Sequence, residues 1–220
     1  MARPLRIEYA GAVYHVMARG NQGQKIGADD PDRQMWVATL AEACRRTGWQ
    51  VHGWVLMGNH YHLLLETPEP NLVNGMKWLQ GTYTQRYNAR HRKRGHLFQG
   101  RYRAIPLDAA SDRNYFQVVS TYIHLNPARA KLIRIGEQRL SEYPWSSYLA
   151  YVGTNRPAWL ETQRVMGSHG QCGIAAGGTA RVRKVSGRPG VGIGDEGQAP
   201  GVGGAMAGVT PGLVSGVSRL

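Results

Sequence analysis

The chain has 220 residues, enough for one sizeable domain or two small ones, and 42% of them are hydrophobic, as in a globular protein. Two cysteines are too few for a disulfide framework or a zinc cluster, and no apolar run approaches the roughly 18 residues of a membrane span, which excludes those classes. The few, scattered cysteines fit a reducing cytoplasm as the compartment. A formal net charge of +13 and a pI near 10.2 attract polyanions, so we expect nucleic acid as the partner.

The first third of the chain alternates strand and helix patterns. Alternating apolar and polar residues predict a strand over Ala12–Arg19, and an apolar stripe at helical spacing predicts a helix over about 31–46. A strand follows at 51–57, and the pair Gly58-Asn59 is typical of a hairpin turn that leads into a strand at 60–66.

The next part predicts a long helix over about 71–91, a strand over 101–107 and a third helix over about 111–125. The order through the fourth strand is β-α-β-β-α-β, which is the ferredoxin-like split βαβ arrangement. We therefore predict an α+β fold with an antiparallel sheet that carries two helices on one face. The third helix is an addition that can reach the sheet.

The last part of the chain differs sharply in composition. Residues 167–220 contain 16 of the 29 glycines and no aromatic residue, so they cannot bury enough apolar area to offset the entropy of ordering them. We predict a functional domain over 1–160 and a glycine-rich, disordered tail over 161–220.

Two histidines open the return strand of the predicted hairpin. Side chains at i and i+2 of a strand share one face, so His60 and His62 present two imidazoles side by side. Such a pair is either half of a metal site or a pair of hydrogen-bonding residues at the edge of a core. Without cysteines the site would be open, which suits Mg²⁺ or Mn²⁺ on a phosphate.

The third predicted helix carries a second candidate pair at its end. Tyr122 and Asn126 are four residues apart and share one helical face, while Pro127 predicts that the helix ends at Asn126. Tyr122 is either a core aromatic or a nucleophile, and the Asn126 amide oxygen is a candidate third ligand beside the histidines. A tyrosine that attacks a phosphodiester forms a phosphotyrosine and retains the bond energy for rejoining.

A basic stretch separates the two pairs. Between Glu69 and Asp108 the chain has no acidic residue, whereas aromatic and basic residues are interleaved there. This pattern is typical of surfaces that hold phosphates and stack on unpaired bases, although a solvated helix face is the simpler alternative. The candidate nucleic-acid-binding residues are Arg86, Arg90, Arg92, Lys93, Arg94, Phe98, Arg101 and Arg103.

Three motifs in this order, at 58–67, 95–102 and 122–130, resemble the REP-associated tyrosine transposases, single-tyrosine HUH endonucleases related to insertion-sequence transposases. The resemblance covers about 2–160. It implies a ferredoxin-like domain that cuts single-stranded DNA beside a hairpin, with the 5′ end left on a tyrosine and the 3′ hydroxyl free.

By motif position, the resemblance implies that Tyr122 is the nucleophile and that His60, His62 and Asn126 hold a divalent ion, Mg²⁺ or Mn²⁺. It further implies hairpin DNA as the partner, no membrane, no small-molecule cofactor, a monomer or homodimer, and association with the bacterial nucleoid.

Two other functions stay open on the sequence. A ferredoxin-like sheet with this basic surface could bind hairpin DNA or RNA without cutting it. Alternatively, the histidines could activate a water molecule for hydrolysis while Tyr122 is structural.

Overall fold

The computed structural model describes residues 6–107, 113–134 and 136–168. These residues form four strands and five α-helices, together with two short 3-10 turns. The elements are β1 (Ala12–Arg19), α1 (Asp30–Thr47), β2 (Gln50–Leu56), β3 (His60–Thr67), α2 (Leu72–His91), β4 (Arg103–Leu107), α3 (Arg113–Arg129), α4 (Tyr148–Val152) and α5 (Gln163–Ser168). No described helix combines the length and apolar character that a membrane crossing requires.

The four strands form one antiparallel sheet in the order β2-β3-β1-β4. This order, with α1 and α2 as the two connections, confirms the predicted ferredoxin-like α+β fold. In the register of β1 on β3, Arg19 lies opposite His60 and Met17 lies opposite His62. The central strands therefore bring the start of β3 beside the end of β1.

One face of the sheet packs against α1 and α2. The largest core cluster joins Tyr61 and Leu63 of the sheet to Trp36 of α1 and to Leu79 and Tyr83 of α2, all of them buried. Asp29 caps α1, since its side chain accepts a hydrogen bond from the Asp32 amide at 3.0 Å. The helix pair thus stands on the side of the sheet away from the two histidines.

The opposite face of the sheet packs against α3. Val55 and Leu64 of the sheet cluster with Phe116, Val119 and Ile123 of α3, which confirms that the third helix reaches the sheet. Val165 of α5 is buried in the same cluster. The folded part of the chain therefore extends beyond residue 160, and residues 169–220 of the predicted tail lie outside the described residues.

The predicted end of α3 at Asn126 is wrong. The helix continues to Arg129 with Pro127 inside it. Proline removes one donor, but the carbonyls of Asn126 and Pro127 still accept from the amides of Ala130 at 2.9 Å and Leu132 at 2.8 Å, so the last turn persists.

Candidate active site

Three histidines and a tyrosine meet between the sheet and α3. His60 and His62 lie two apart on β3, and the register places His15 of β1 on the same face. Tyr122 comes from α3 on the opposite side of the gap. The site is therefore built from the two central strands and the one helix that covers them.

The aromatic rings of these residues are in contact. The His62 ring lies 5.2 Å from the His60 ring and 5.6 Å from the Tyr122 ring, measured between centroids, and both contacts are edge-on. The His15 ring lies 5.8 Å from the Tyr122 ring. The structure thus brings together the predicted histidine pair and the predicted tyrosine, which are about 60 residues apart in sequence.

Each predicted metal-binding histidine has one ring nitrogen in a hydrogen bond. His60 Nδ1 lies 2.8 Å from the side-chain oxygen of Asn59, and His62 Nδ1 lies 3.0 Å from His15 Nε2. The second nitrogen, Nε2, is then the one available to a cation on each ring. Metal-bound histidines usually have their other nitrogen held by such a partner.

Asn126 lies one helical turn after Tyr122 on α3. Its side chain is buried, and its Nδ2 donates a hydrogen bond to the Tyr122 carbonyl at 3.0 Å, which leaves Oδ1 as the acceptor. Among the residues that the structure describes, no three His, Cys, Asp or Glu side chains are grouped as a metal site. The three predicted ligands, the imidazoles of His60 and His62 and the amide oxygen of Asn126, come from the two elements β3 and α3 that meet at the site.

All three histidines favour their neutral form. Burial lowers the pKa of His62 to about 3, with His15 and His60 adding to the shift, and burial lowers the pKa of His15 to about 4. Burial also lowers the pKa of His60, helped by the positive charge of Arg19. The neutral imidazole is the form that can bind a metal ion.

Three arginines lie on the same side of the sheet as the tyrosine and the histidines. The Arg129 guanidinium carbon lies 5.0 Å from the centre of the Tyr122 ring. Arg19 is opposite His60, and Arg103 of β4 lies on the same sheet face by its register with β1. All three arginines are exposed, so they can hold the phosphates of a strand that enters the site.

Two predicted nucleic-acid-binding residues have partners inside the protein instead. Arg86 makes two hydrogen bonds to the Glu42 carboxylate, one at 2.9 Å, and Arg90 binds both Asp29 and Asp32 at 2.7 Å. Asp32 is completely buried, and an unpaired carboxylate there would be costly. These arginines join α2 to α1, on the side of the sheet away from the site, so we leave them out of the proposed phosphate-binding residues.

Phe98 also differs from the prediction. Its ring is buried in the core cluster and meets the Tyr61 ring edge-on at 5.9 Å, so it cannot stack on a base. The other predicted residues, Arg92, Lys93, Arg94 and Arg101, are exposed.

The prediction missed His15 and Arg129. Strand alternation gives the face of His15 only once the register of β1 on β3 is known, and a single sequence does not give that register. Arg129 lies seven residues after Tyr122, and the predicted helix end excluded it. His124, two residues after Tyr122, is buried, with Nε2 at 2.8 Å from the Ser147 hydroxyl.

Comparison with known proteins places the chain in a family. A solved structure described as a REP-associated tyrosine transposase bound to a REP hairpin matches with a TM-score of 0.58 and 16% sequence identity, over 71% of this chain and 89% of that one. At that identity the likeness shows a common fold.

A second structure, a putative transposase from Deinococcus radiodurans R1, matches with a TM-score of 0.38 and 17% identity over 60% of this chain and 92% of that one, which is too low to support an argument. A comparison with curated proteins found no match. The family model for IS200-like transposases matches residues 8–126, more than half of the chain and a span that holds both histidines, Tyr122 and Asn126. The chain belongs to the IS200-like transposase family and is thus an enzyme that acts on DNA.

Proposed function

We propose that this transposase is a metal-dependent endonuclease and strand transferase of the HUH type, which cleaves single-stranded DNA and holds the 5′ end on Tyr122. The observation that carries this proposal is the edge-on approach of the Tyr122 ring to His62, at 5.6 Å between centroids. A tyrosine buried only as core would not need two neutral histidines beside it.

His60, His62 and Asn126 are the residues that would hold the ion, which we propose is Mg²⁺ or Mn²⁺. The ion, when bound, polarises the scissile phosphate and neutralises its charge. The chain's own contribution is to keep both imidazoles neutral by burial and to hold His60 Nδ1 through Asn59. Mn²⁺ tolerates nitrogen ligands better than Mg²⁺ does, so it is the better probe.

The proposed cleavage step exchanges one ester for another. The Tyr122 hydroxyl oxygen attacks the phosphorus, the bond from phosphorus to the 3′ oxygen breaks, and one proton passes overall from the phenol to that oxygen. No water is consumed, and the number of phosphodiester bonds is unchanged. Attack by a free 3′ hydroxyl on the phosphotyrosine reverses the step and joins the strand.

Hairpin DNA is the proposed substrate, and the REP-associated tyrosine transposases are the proposed subgroup. The hairpin-bound transposase of similar fold and the basic residues around the site support this substrate. The proposed phosphate-binding residues are Arg19, Arg92, Lys93, Arg94, Arg101, Arg103 and Arg129. We place the activity in residues 1–160, and the oligomeric state, monomer or homodimer, stays a prediction.

The test is covalent capture of labelled DNA. Single-stranded oligonucleotides that contain hairpins from the source genome, labelled 3′ of the cleavage site, are incubated with the protein and Mn²⁺ or chelator and run on denaturing gels. We expect label on the protein only with Mn²⁺, and none on Tyr122→Phe, which loses a single oxygen and should still fold and bind the hairpin.

Two results would contradict the proposal. If Tyr122→Phe cleaves as well as the wild type, the protein is a hydrolytic phosphodiesterase and Tyr122 is structural. If hairpins bind but no metal ion produces cleavage or capture, the protein is a binding protein.

A further inference from the structure

We propose that His15 is a positioning residue for the metal-binding histidine pair. It accepts a hydrogen bond from Nδ1–H of His62 and so holds His62 in the tautomer whose Nε2 carries a lone pair for the cation. This inference rests on the proposed function, since it assigns a task to His15 in the same site.

The geometry around His15 points to this role. Its ring is buried, its Nε2 lies 3.0 Å from His62 Nδ1, and the two rings stack at 5.2 Å between centroids with 26° between their planes. His15 is opposite Leu64 in the register of β1 on β3, so His62 is its diagonal neighbour across the strands. The same ring meets Tyr122 edge-on at 5.8 Å. His15 therefore contacts both a proposed ligand, His62, and the proposed nucleophile, Tyr122.

The direction that we propose for this hydrogen bond matches the direction at His60. The Asn59 side-chain oxygen 2.8 Å from His60 Nδ1 can only accept, so His60 carries its proton on Nδ1 and leaves Nε2 bare. If His62 donates to His15 in the same way, both rings offer Nε2 and act as a matched pair. If His15 were the donor, the proton of neutral His62 would lie on Nε2 and block that nitrogen.

A positioning role explains the arrangement better than a third ligand does. The described part of the chain contains no group of three His, Cys, Asp or Glu side chains suited to a metal, although His15 is in hydrogen-bonding contact with His62. A partner that orients a ligand is the usual companion of metal-bound histidine, and its removal typically weakens metal binding about 10- to 100-fold.

The direct test is the tautomer of each ring, read from long-range proton–nitrogen NMR correlations on the full chain at neutral pH. We expect His62 and His60 with the proton on Nδ1, and His15 with an unprotonated Nε2. A His62 proton on Nε2, or a His15 proton on Nε2, would overturn the proposal whether or not the protein cleaves DNA.

The second test measures Mn²⁺ affinity by electron paramagnetic resonance, without DNA. His15→Phe keeps a ring of similar size but cannot accept, and we expect it to raise the Mn²⁺ Kd about 10- to 100-fold. His15→Gln keeps an acceptor and should recover part of the affinity. The matched control is His52→Gln, which changes another buried histidine, bound to Glu66 at the far end of β3, and should leave the Mn²⁺ Kd unchanged.

The outcomes separate this inference from the proposed function. If the wild type binds Mn²⁺ and both His15 variants bind it equally well, His15 has no positioning role while the metal site stands. If the wild type binds no Mn²⁺, the proposed metal site fails and this inference fails with it. Affinities are compared for the folded fraction of each variant, and the NMR test needs no variant.

Discussion

His62 contacts every other aromatic side chain of the candidate site. It touches His60 and Tyr122 by its ring edges and His15 through Nδ1, and it is almost completely buried. Three adjacent imidazoles tolerate this burial because none of them carries a charge. The same burial makes the stability of the folded protein depend on pH.

We expect stability to fall as the pH drops from about 6.5 to 5. Burial lowers the folded-state pKa of His15 to about 4 and that of His62 to about 3, and it also lowers the pKa of His60. Between pH 6.5 and 5 the unfolded chain therefore protonates His15 and His62, whereas the folded chain does not. The contribution of these histidines to the free energy of unfolding is therefore complete above pH 6.5. It declines below that pH, by up to about 1.4 kcal/mol per pH unit for each histidine.

Urea unfolding with chelator at pH 7.5, 6.5, 5.5 and 5.0 measures this dependence. His62→Gln removes one of the three groups, so its unfolding free energy should change less with pH than that of the wild type. Equal pH dependence in the two proteins would show that His62 does not carry the shift.

Helix α2 offers a matched pair of glycines for a second prediction. A Cβ at Gly75 would lie 2.0 Å from the buried Trp49 ring, whereas a Cβ at Gly81 on the same helix meets nothing within 4 Å. We expect Gly75→Ala to destabilise the protein by about 1–3 kcal/mol through overpacking, and Gly81→Ala to stabilise it by about 1 kcal/mol through helix propensity. Thermal unfolding of both variants tests this, and a stable Gly75→Ala would show that α2 is not held against Trp49.

The regular elements were predictable because their periodicities are local. The hairpin at Gly58-Asn59 and the stripe of α2 follow from neighbouring residues, and they are enough for the β-α-β-β-α-β order. The end of α3 was not predictable in this way, because it depends on hydrogen bonds from residues after the helix. The carbonyls of Asn126 and Pro127 accept from the amides of Ala130 and Leu132. Because the predicted helix ended before Arg129, the prediction did not place this residue on the same helix as Tyr122.

The internal partners of two residues in the predicted binding surface were not predictable for a different reason. Charge along the sequence does not say on which side of the sheet a residue lies, and Arg86 and Arg90 face acidic residues of α1. His15 likewise belongs to the site only because β1 and β3 pair in one register. Both the ion pairs of the two arginines and the position of His15 depend on contacts between elements that are distant in sequence. The periodicity of the sequence does not show those contacts.

In the molecule as a whole, the sheet separates the large core on one face from the candidate site on the other. The face toward α1 and α2 holds the large core and its ion pairs, while the face toward α3 holds the histidines, the tyrosine and the exposed Arg19, Arg103 and Arg129. We therefore expect the DNA strand that is cut to bind on the α3 side.

The salt dependence of DNA binding tests this division. In a Tyr122→Phe background, which prevents cleavage, replacing Arg19, Arg103 and Arg129 by glutamine should weaken hairpin binding and reduce the slope of log K against log salt by about 0.7 for each single-strand phosphate that is no longer neutralised. Arg45→Gln removes a positive charge from α1, on the other face, and should leave the slope unchanged. Equal slopes for the triple variant and the parent would place the DNA elsewhere.

The central claim is that Tyr122 becomes covalently linked to DNA, and mass spectrometry of the trapped adduct tests it most directly. Trypsin releases residues 114–129 as one peptide that contains both Tyr115 and Tyr122, so fragmentation of the nucleotide-bearing peptide identifies the linked residue. The account predicts a 5′-phosphonucleotide on Tyr122 after incubation with hairpin DNA and Mn²⁺. A nucleotide on Tyr115, or cleaved DNA with no linked peptide, would contradict it.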